Sequence, residues 1–114
     1  MAMQIALNLD RTFHALSDGT RRSMIQALSN GEMRSAGEIG REFRSAQPTI
    51  SKHLKVLEQA GLVRRSVEGR VHRFQLVRGP LRDAEGWLAR HQAFWTGAVD
   101  QLEQLLSEAS DDAK

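Results

Sequence analysis

Cysteine is absent from the 114 residues. Disulfides, thiolate metal sites and a cysteine nucleophile are therefore excluded, and a reducing compartment is compatible. No secretory leader is expected either, because "MAMQIALNLDRTF" has no basic region followed by an apolar run. No stretch approaches the roughly 18 apolar residues of a membrane span. The expectation is a soluble, cytoplasmic protein with no membrane partner. Histidine is sparse, with four scattered residues, and no glycine-rich phosphate loop is present, so an enzyme's nucleophile, acid–base pair or metal has little to be built from. Repeats and low-complexity tracts are lacking, and residues 111–114 read as a frayed tail.

What the chain does have is an uneven charge distribution. Net charge is only +2, yet residues 1–80 hold 13 Lys/Arg against 7 Asp/Glu, and residues 81–114 hold 3 against 7. A basic body followed by an acidic segment suggests that the first part meets an anion and the second does another job.

Hydrophobic spacing divides the chain into elements. Ile5 to Leu16 carries Leu9, Phe13 and Leu16 at helical spacing. Asp18 offers an N-cap to a second helix with Met24, Ile25 and Leu28 as its apolar stripe, closed by Gly31. Ser35 and Glu38 form a capping-box pattern for a short helix, "AGEIGREF", with Ile39 and Phe43 as its inward pair. After a brief connection Ser45 can cap the next helix, Pro48 fits its first turn, and Gly61 ends it. "LVRRSVE" and "VHRFQLV" then alternate as strands around a tight Glu68-Gly69-Arg70 turn, giving a hairpin. From Pro80 a final helix carries Leu81, Ala84, Leu88, His91, Trp95, Ala98, Leu102, Leu105 and Ala109 in alternating steps of three and four, a heptad seam.

Two short helices joined by about three residues, followed by an arginine-bearing hairpin, define a winged helix-turn-helix. The expected fold is mainly α with a small β-hairpin, in the order α-α-α-α-β-β-α, and dimeric. Residues 1–110 are expected to form one domain, a DNA-binding part over about 18–78 flanked by helices over about 5–16 and 81–109, the last of which carries the heptad seam for dimerisation. In "QPTISKHLKVLEQAG", Ile50, Leu54 and Leu57 lie within about 40° of one direction on a helical wheel. Thr49, Lys52 and Lys55 point broadly the other way, with Ser51 and His53 on the flanks. Such a polar face suits the major groove of double-stranded DNA, where base edges are distinguishable. Gln47 and Thr49, in the first turn, are placed to touch bases, and flanking cations to grip phosphates. Arg21 and Arg22, at the start of the second helix, suit either a phosphate contact or an ion pair.

The segments "DGTRRSMIQAL", "EIGREF", "QPTISKHLKVLEQAGLV" and "EGRVHRFQL", in this order and spacing, resemble the ArsR-type (ArsR/SmtB) winged-helix transcriptional repressors over about residues 10 to 106. The resemblance implies a homodimer paired through its first and last helices that represses a palindromic operator. It implies that Gln47, Thr49, Ser51, Lys52, His53 and Lys55 face DNA and that Arg70 sits at the wing tip. Leu9, Phe13, Leu88, His91, Trp95 and Leu102 are then expected at the dimer interface. Metal-sensing relatives carry a Cys pair before the recognition helix or Asp/His pairs on the last helix. "RSAGEIGREF" has neither Cys nor His, and His91 on the last helix has no second His beside Asp100 and Glu103. The chain is more similar to metal-independent members, in which a pair such as Trp87 and Trp95 is familiar, so no metal or other cofactor is expected. The alternatives are a winged-helix protein-interaction module and a metal- or small-molecule-responsive sensor. No residue pattern identifies a small-molecule effector.

Overall fold

Capping and turn chemistry set where the elements of this chain begin and end. In the computed structural model, which describes residues 2–112, they run α1 (Ala2–Leu16), α2 (Gly19–Ala27), β1 (Arg34–Ser35), α3 (Ala36–Phe43), α4 (Gln47–Gln59), β2 (Val63–Glu68), β3 (Val71–Leu76), α5 (Gly79–Arg90) and α6 (Gln92–Asp112). The Asp18 carboxylate accepts the Arg21 N–H at 3.1 Å and starts α2. Ser35 Oγ accepts the Glu38 N–H at 3.1 Å and starts α3, while its hydroxyl donates to Glu38 Oε1. Both caps are those expected from the sequence. Ser45 is not a cap. Ala46 occupies that position without a side-chain hydrogen bond, and Ser45 Oγ instead donates to the Phe43 carbonyl. That carbonyl belongs to the last turn of α3, where acceptors lack helical partners, so the hydroxyl is drawn backwards.

Gly61 (φ +73°) turns the chain directly after the C-cap of α4 as expected, whereas α2 already ends at Ala27 with Leu28 as its C-cap, so Gly31 (φ +83°) turns the loop that follows instead of closing the helix. In the hairpin Glu68 pairs with Val71, leaving Gly69 and Arg70 as a two-residue turn whose first residue has φ +62°. A glycine there meets the left-handed requirement of such turns. The hairpin is not alone. Arg34 and Ser35 pair antiparallel with Phe74 and Arg73, making a three-stranded sheet ordered β1-β3-β2. Two residues carry no readable alternation, which is why the sequence does not announce this strand.

The chain divides into two compact units, one up to Ala84 and one from Glu85 onward. The core of the first is Ala15, Met24, Ile25, Leu28, Ile39, Ile50, Leu54, Leu57, Leu62, Val63 and Phe74, with Leu16 and Leu81 packed against it. Among the described residues of α1, Thr12 and Ala15 are fully enclosed; Leu9 is half-buried and Phe13 exposed. Thr12 Oγ1 donates to the Asn8 carbonyl at 2.9 Å, which satisfies the hydroxyl inside the core.

The final helix differs from the single rod of the heptad reading. It breaks at His91. The His91 N–H reaches back to the Leu88 carbonyl at 3.2 Å, and its ring Nδ1 lies 2.8 Å from the Trp87 carbonyl. A carbonyl only accepts, so Nδ1–H donates. The side chain thereby takes the acceptor that the helical N–H of residue 91 would use, and one turn tightens. The seam splits with it: Leu81 and Ala84 are drawn into or against the first unit, while Leu88 and the residues beyond it are exposed. Residues 111 and 112, expected in a frayed tail, continue α6 to its end at Asp112; residues 113–114 lie outside the described residues.

Candidate nucleic-acid interface

The helix-turn-helix is built on a close approach. After α3 the chain passes through Arg44 in the left-handed region (φ 50°) and enters α4 three residues later. Gly40, buried in α3, faces the start of α4. A Cβ there would fall 2.3 Å from Gln47 Nε2 and 3.8 Å from Ile50 Cγ1. Absence of a side chain at residue 40 thus lets the Gln47 amide rest against α3. Ile50, Leu54 and Leu57 are 0%, 2% and 0% exposed, so the apolar side of α4 is fully spent on the core. Its opposite side is free to carry function.

On that side Gln47, Thr49, Ser51, Lys52 and Lys55 are exposed, as is Arg70 at the hairpin turn; His53 is half-buried. A cleft of about 570 Å³ brings Ser51 and Lys55 of α4, Ser35 and Gly37 at the start of α3, and Arg65 and Arg70 of the wing around one space. Among the described residues Lys52, Lys55, Arg64 and Arg70 make no ion pair and no side-chain hydrogen bond. The other wing cations are partly engaged. Arg65 pairs with Glu58 at 2.8 Å and lies over the Phe74 ring, and Arg73 approaches Glu38 at 4.0 Å. Such half-exposed pairs are weak and readily exchanged for another anion.

Arg21 and Arg22 make no ion pair among the described residues and turn instead to backbone carbonyls. Arg22 Nη1 donates to the Leu16 carbonyl at 2.7 Å. Arg21 Nε donates to the Ala15 carbonyl at 2.8 Å and Nη2 to the His14 carbonyl at 3.2 Å. Cations at a helix C-terminus satisfy orphan carbonyls and oppose the negative dipole end. Arg21 also places Nη1 3.4 Å from His53 Nδ1 on α4. The sequence signal for this role is a pair of arginines six residues beyond the last carbonyls of the preceding helix, a spacing also compatible with several other uses.

The backbone N–H of Arg21 holds the Asp18 carboxyl below its ordinary value of 3.8, aided by the Thr20 N–H and the nearby Arg21 and His53 charges and opposed by desolvation. A lowered folded-state pKa means that the native protein binds fewer protons than the unfolded chain in this range. The stabilisation is complete above the ordinary carboxylate range and disappears as pH falls through the folded value. Asp18→Asn keeps a capping oxygen but no titrating charge. Its melting temperature, followed by circular dichroism between about pH 6 and pH 2.5, should therefore decline less steeply than that of the wild type. An equal decline would show that Asp18 contributes nothing to acid sensitivity.

In the second unit the aromatic residues cluster. Trp87 stacks on His91 with ring centroids 4.5 Å apart, Trp95 lies 6.1 Å from Trp87, and Phe94 meets Trp95 edge-on at 5.2 Å. Leu88, His91, Trp95 and Leu102 are all exposed here, and Leu105, at 63%, is among the most open apolar side chains. Among the described residues no three His, Asp or Glu side chains gather as a metal site would require, and no helix is long and apolar enough to cross a membrane.

Comparison with known proteins agrees with this architecture. A helix-turn-helix domain family matches residues 16–66. An HTH-type transcriptional regulator of Mycobacterium tuberculosis is 37% identical over 103 residues, covering 90% of this chain and 92% of its own. The transcriptional repressor SdpR of Bacillus subtilis is 34% identical over 80 residues, 70% of this chain and 88% of the repressor. Among solved structures, an ArsR family transcriptional regulator superimposes with a TM-score of 0.73 at 34% identity, covering 80% of this chain and 93% of that one.

Proposed function

Because this chain belongs to the ArsR-type family of winged helix-turn-helix transcriptional regulators, we propose that it is a homodimeric repressor that reads a palindromic operator with α4 and steadies it with the β2–β3 wing. Gln47 and Thr49, in the first turn of α4, read base edges; Gln can pair bidentately with adenine. Lys52, Lys55 and Arg70 grip phosphates, with Ser51 and His53 as flanking donors. The observation that carries this reading is the uncommitted charge: three exposed cations without acidic partners around a polar helix face whose other side is wholly buried. A solvated face with no partner would gain from pairing those cations with Glu or Asp.

The repressor needs no metal in this reading. Cysteine is absent, and His91 already commits Nδ1 to the Trp87 carbonyl. Leu9 and Phe13 on α1 and Leu88, His91, Trp95 and Leu102 further on supply the dimer contacts.

Duplexes selected from a random-sequence pool by the purified protein provide the test. Lys52→Ala and Arg70→Ala should weaken binding to every selected sequence alike and flatten the salt dependence, by about 0.9 in log–log slope for each phosphate no longer neutralised. Gln47→Ala should instead relax base preference at one position of each half-site, by roughly 1–3 kcal/mol. Unaltered binding by all three variants would sink the reading, as would selection that enriches no sequence at all.

A further inference from the structure

The two tasks assigned above sit on different helices. Partner pairing uses α1, and DNA reading uses α4; the two share the core through Ala15, Ile50, Leu54 and Leu57, and a cleft of about 440 Å³ lined by Arg11, His14, Val56, Gln59 and Ala60 separates another part of their length. One polar side chain also spans the joint. Arg21 of α2 donates from Nε and Nη2 to the last carbonyls of α1 (Ala15 at 2.8 Å, His14 at 3.2 Å) and from Nη1 toward His53 Nδ1 of α4 at 3.4 Å. Its backbone is held in turn, since its N–H donates to the Asp18 carboxylate at 3.1 Å. The planar guanidinium fixes the directions of all three side-chain contacts, which an ammonium on a flexible stem would not do.

We propose that Arg21 is a positioning residue for DNA recognition: it locks α4 to the end of α1 and sets the tautomer of His53. The chemistry forces the second part. A guanidinium has donors only, so the ring atom facing it must be the unprotonated acceptor, and the proton of the neutral imidazole resides on Nε2. His53 then offers Nε2–H as a donor of fixed position, ready for a DNA phosphate, while its inner nitrogen records where α1 lies. Without Arg21 the ring would share its proton between two tautomers and α4 would lose its polar tie to the end of α1. This inference rests on the DNA-reading role of α4 and concerns how that role is prepared.

Two substitutions at His53 separate the roles. An asparagine amide oxygen stands near the Nδ1 position, so His53→Asn keeps the acceptor for Arg21 and loses the outer donor. His53→Gln reaches the Nε2 position and keeps the outer donor while giving up the inner contact. Nitrogen-15 spectra of the full-length protein, taken near pH 8 where imidazole is neutral, should report the Nε2–H form for His53 in the wild type and a mixture in Arg21→Ala. Affinity for a selected duplex should fall about fivefold or more in Arg21→Ala, with the salt slope unchanged because no phosphate contact is removed. Arg21→Lys should recover the α1 carbonyl contacts only in part and fall between the wild type and Arg21→Ala. In a double-mutant cycle with His53→Ala the two effects should be less than additive.

A wild-type His53 already in mixed tautomers would overturn the proposal, as would strictly additive effects. A salt slope reduced by about 0.9 in Arg21→Ala would make Arg21 a direct phosphate contact instead. Should Arg21→Ala fail to fold, the His53 spectrum and affinity of Arg21→Lys, together with the affinities of the two His53 variants, decide the same question. Normal duplex binding by Lys52→Ala and Arg70→Ala would indict the DNA-reading role itself, whereas the tautomer measurement stands without any DNA.

Discussion

Leu102→Asp should leave the protein monomeric at micromolar concentration and lower its affinity for a two-half-site duplex by about 10²–10⁴-fold. The expectation follows from the shape of α6. Counting 100° per residue, Trp95, Val99, Leu102 and Leu106 fall within about 60° of one another, with Phe94, Ala98 and Leu105 widening the same side. Asp100, Glu103, Gln104 and Glu108 lie elsewhere on the wheel. The large apolar side chains are exposed in the single chain, from 43% for Trp95 to 67% for Phe94. A stripe of this length is more than a monomer usually leaves in water, and it marks a surface meant to be covered. In a two-fold pair the residue at the centre of the stripe meets its own copy, so an Asp there places two carboxylates in an apolar seam. Burying one unpaired charge already costs more than a contact of this size supplies. Each half-site would then be bound singly, without the gain from linkage. Sedimentation equilibrium on the variant gives the answer: a persisting dimer would place the interface elsewhere. Leu102→Ala serves as the milder control and should weaken association without abolishing it.

The parts of this chain that declare themselves in sequence are those ruled by short-range chemistry. Asp18 and Ser35 cap their helices because an oxygen three residues before a free N–H has few better options. Gly31, Gly61 and Gly69 turn the chain because their φ is positive and other residues resist it. Ile50, Leu54 and Leu57 recur at one helical face and are buried. The parts that stay hidden depend on contacts made elsewhere. β1 exists only because β3 presents Phe74 and Arg73 to Arg34 and Ser35. The break at His91 reflects competition between a ring nitrogen and a backbone N–H for the Trp87 carbonyl, which periodicity cannot register. Ser45 reads as a cap because a serine before a helix usually is one; its hydroxyl is taken by the Phe43 carbonyl behind it.

The site shows the same division. Exposure of Gln47, Thr49, Ser51, Lys52 and Lys55 follows from where the apolar stripe of α4 points, and the wheel suffices. The state of each cation does not follow. Arg65, Arg70 and Arg73 read alike in sequence, yet the register of the hairpin brings Arg65 to Glu58 and Arg73 toward Glu38, while Arg70 at the turn has neither. Arg21 is the sharpest case. Its partners lie six, seven and thirty-two residues away on two other helices, and only the folded arrangement brings them to one guanidinium.

Ile50→Ala and Lys52→Ala, two residues apart on the same helix, should fail in opposite ways. Ile50 is 0% exposed and belongs to one core with Leu54, Leu57 and Ile39, beside the bare surface of Gly40. Truncation removes three methyl or methylene groups from a place where α3 and α4 are held close by the helix-turn-helix itself, so the walls cannot collapse far into the gap. Loss of stability should be about 2–5 kcal/mol, the range for emptying a buried aliphatic side chain. At roughly 4 °C or more per kcal/mol for a domain near this size, the melting temperature should drop by about 10–20 °C. Ile50→Val, which removes one methylene, should cost about 0.5–1.5 kcal/mol. Well below its lowered transition the Ala variant should still bind a selected duplex with the wild-type salt slope, because every exposed cation is retained. Lys52→Ala should show the reverse: an unchanged melting temperature and a flattened slope. Calorimetry and salt-dependent binding on the two variants separate the anchoring side of α4 from the exposed side that carries Lys52. A normal melting temperature for Ile50→Ala would mean that α4 is anchored by something other than its apolar stripe, and a reduced slope in the same variant would mean that the two sides of the helix are not independent.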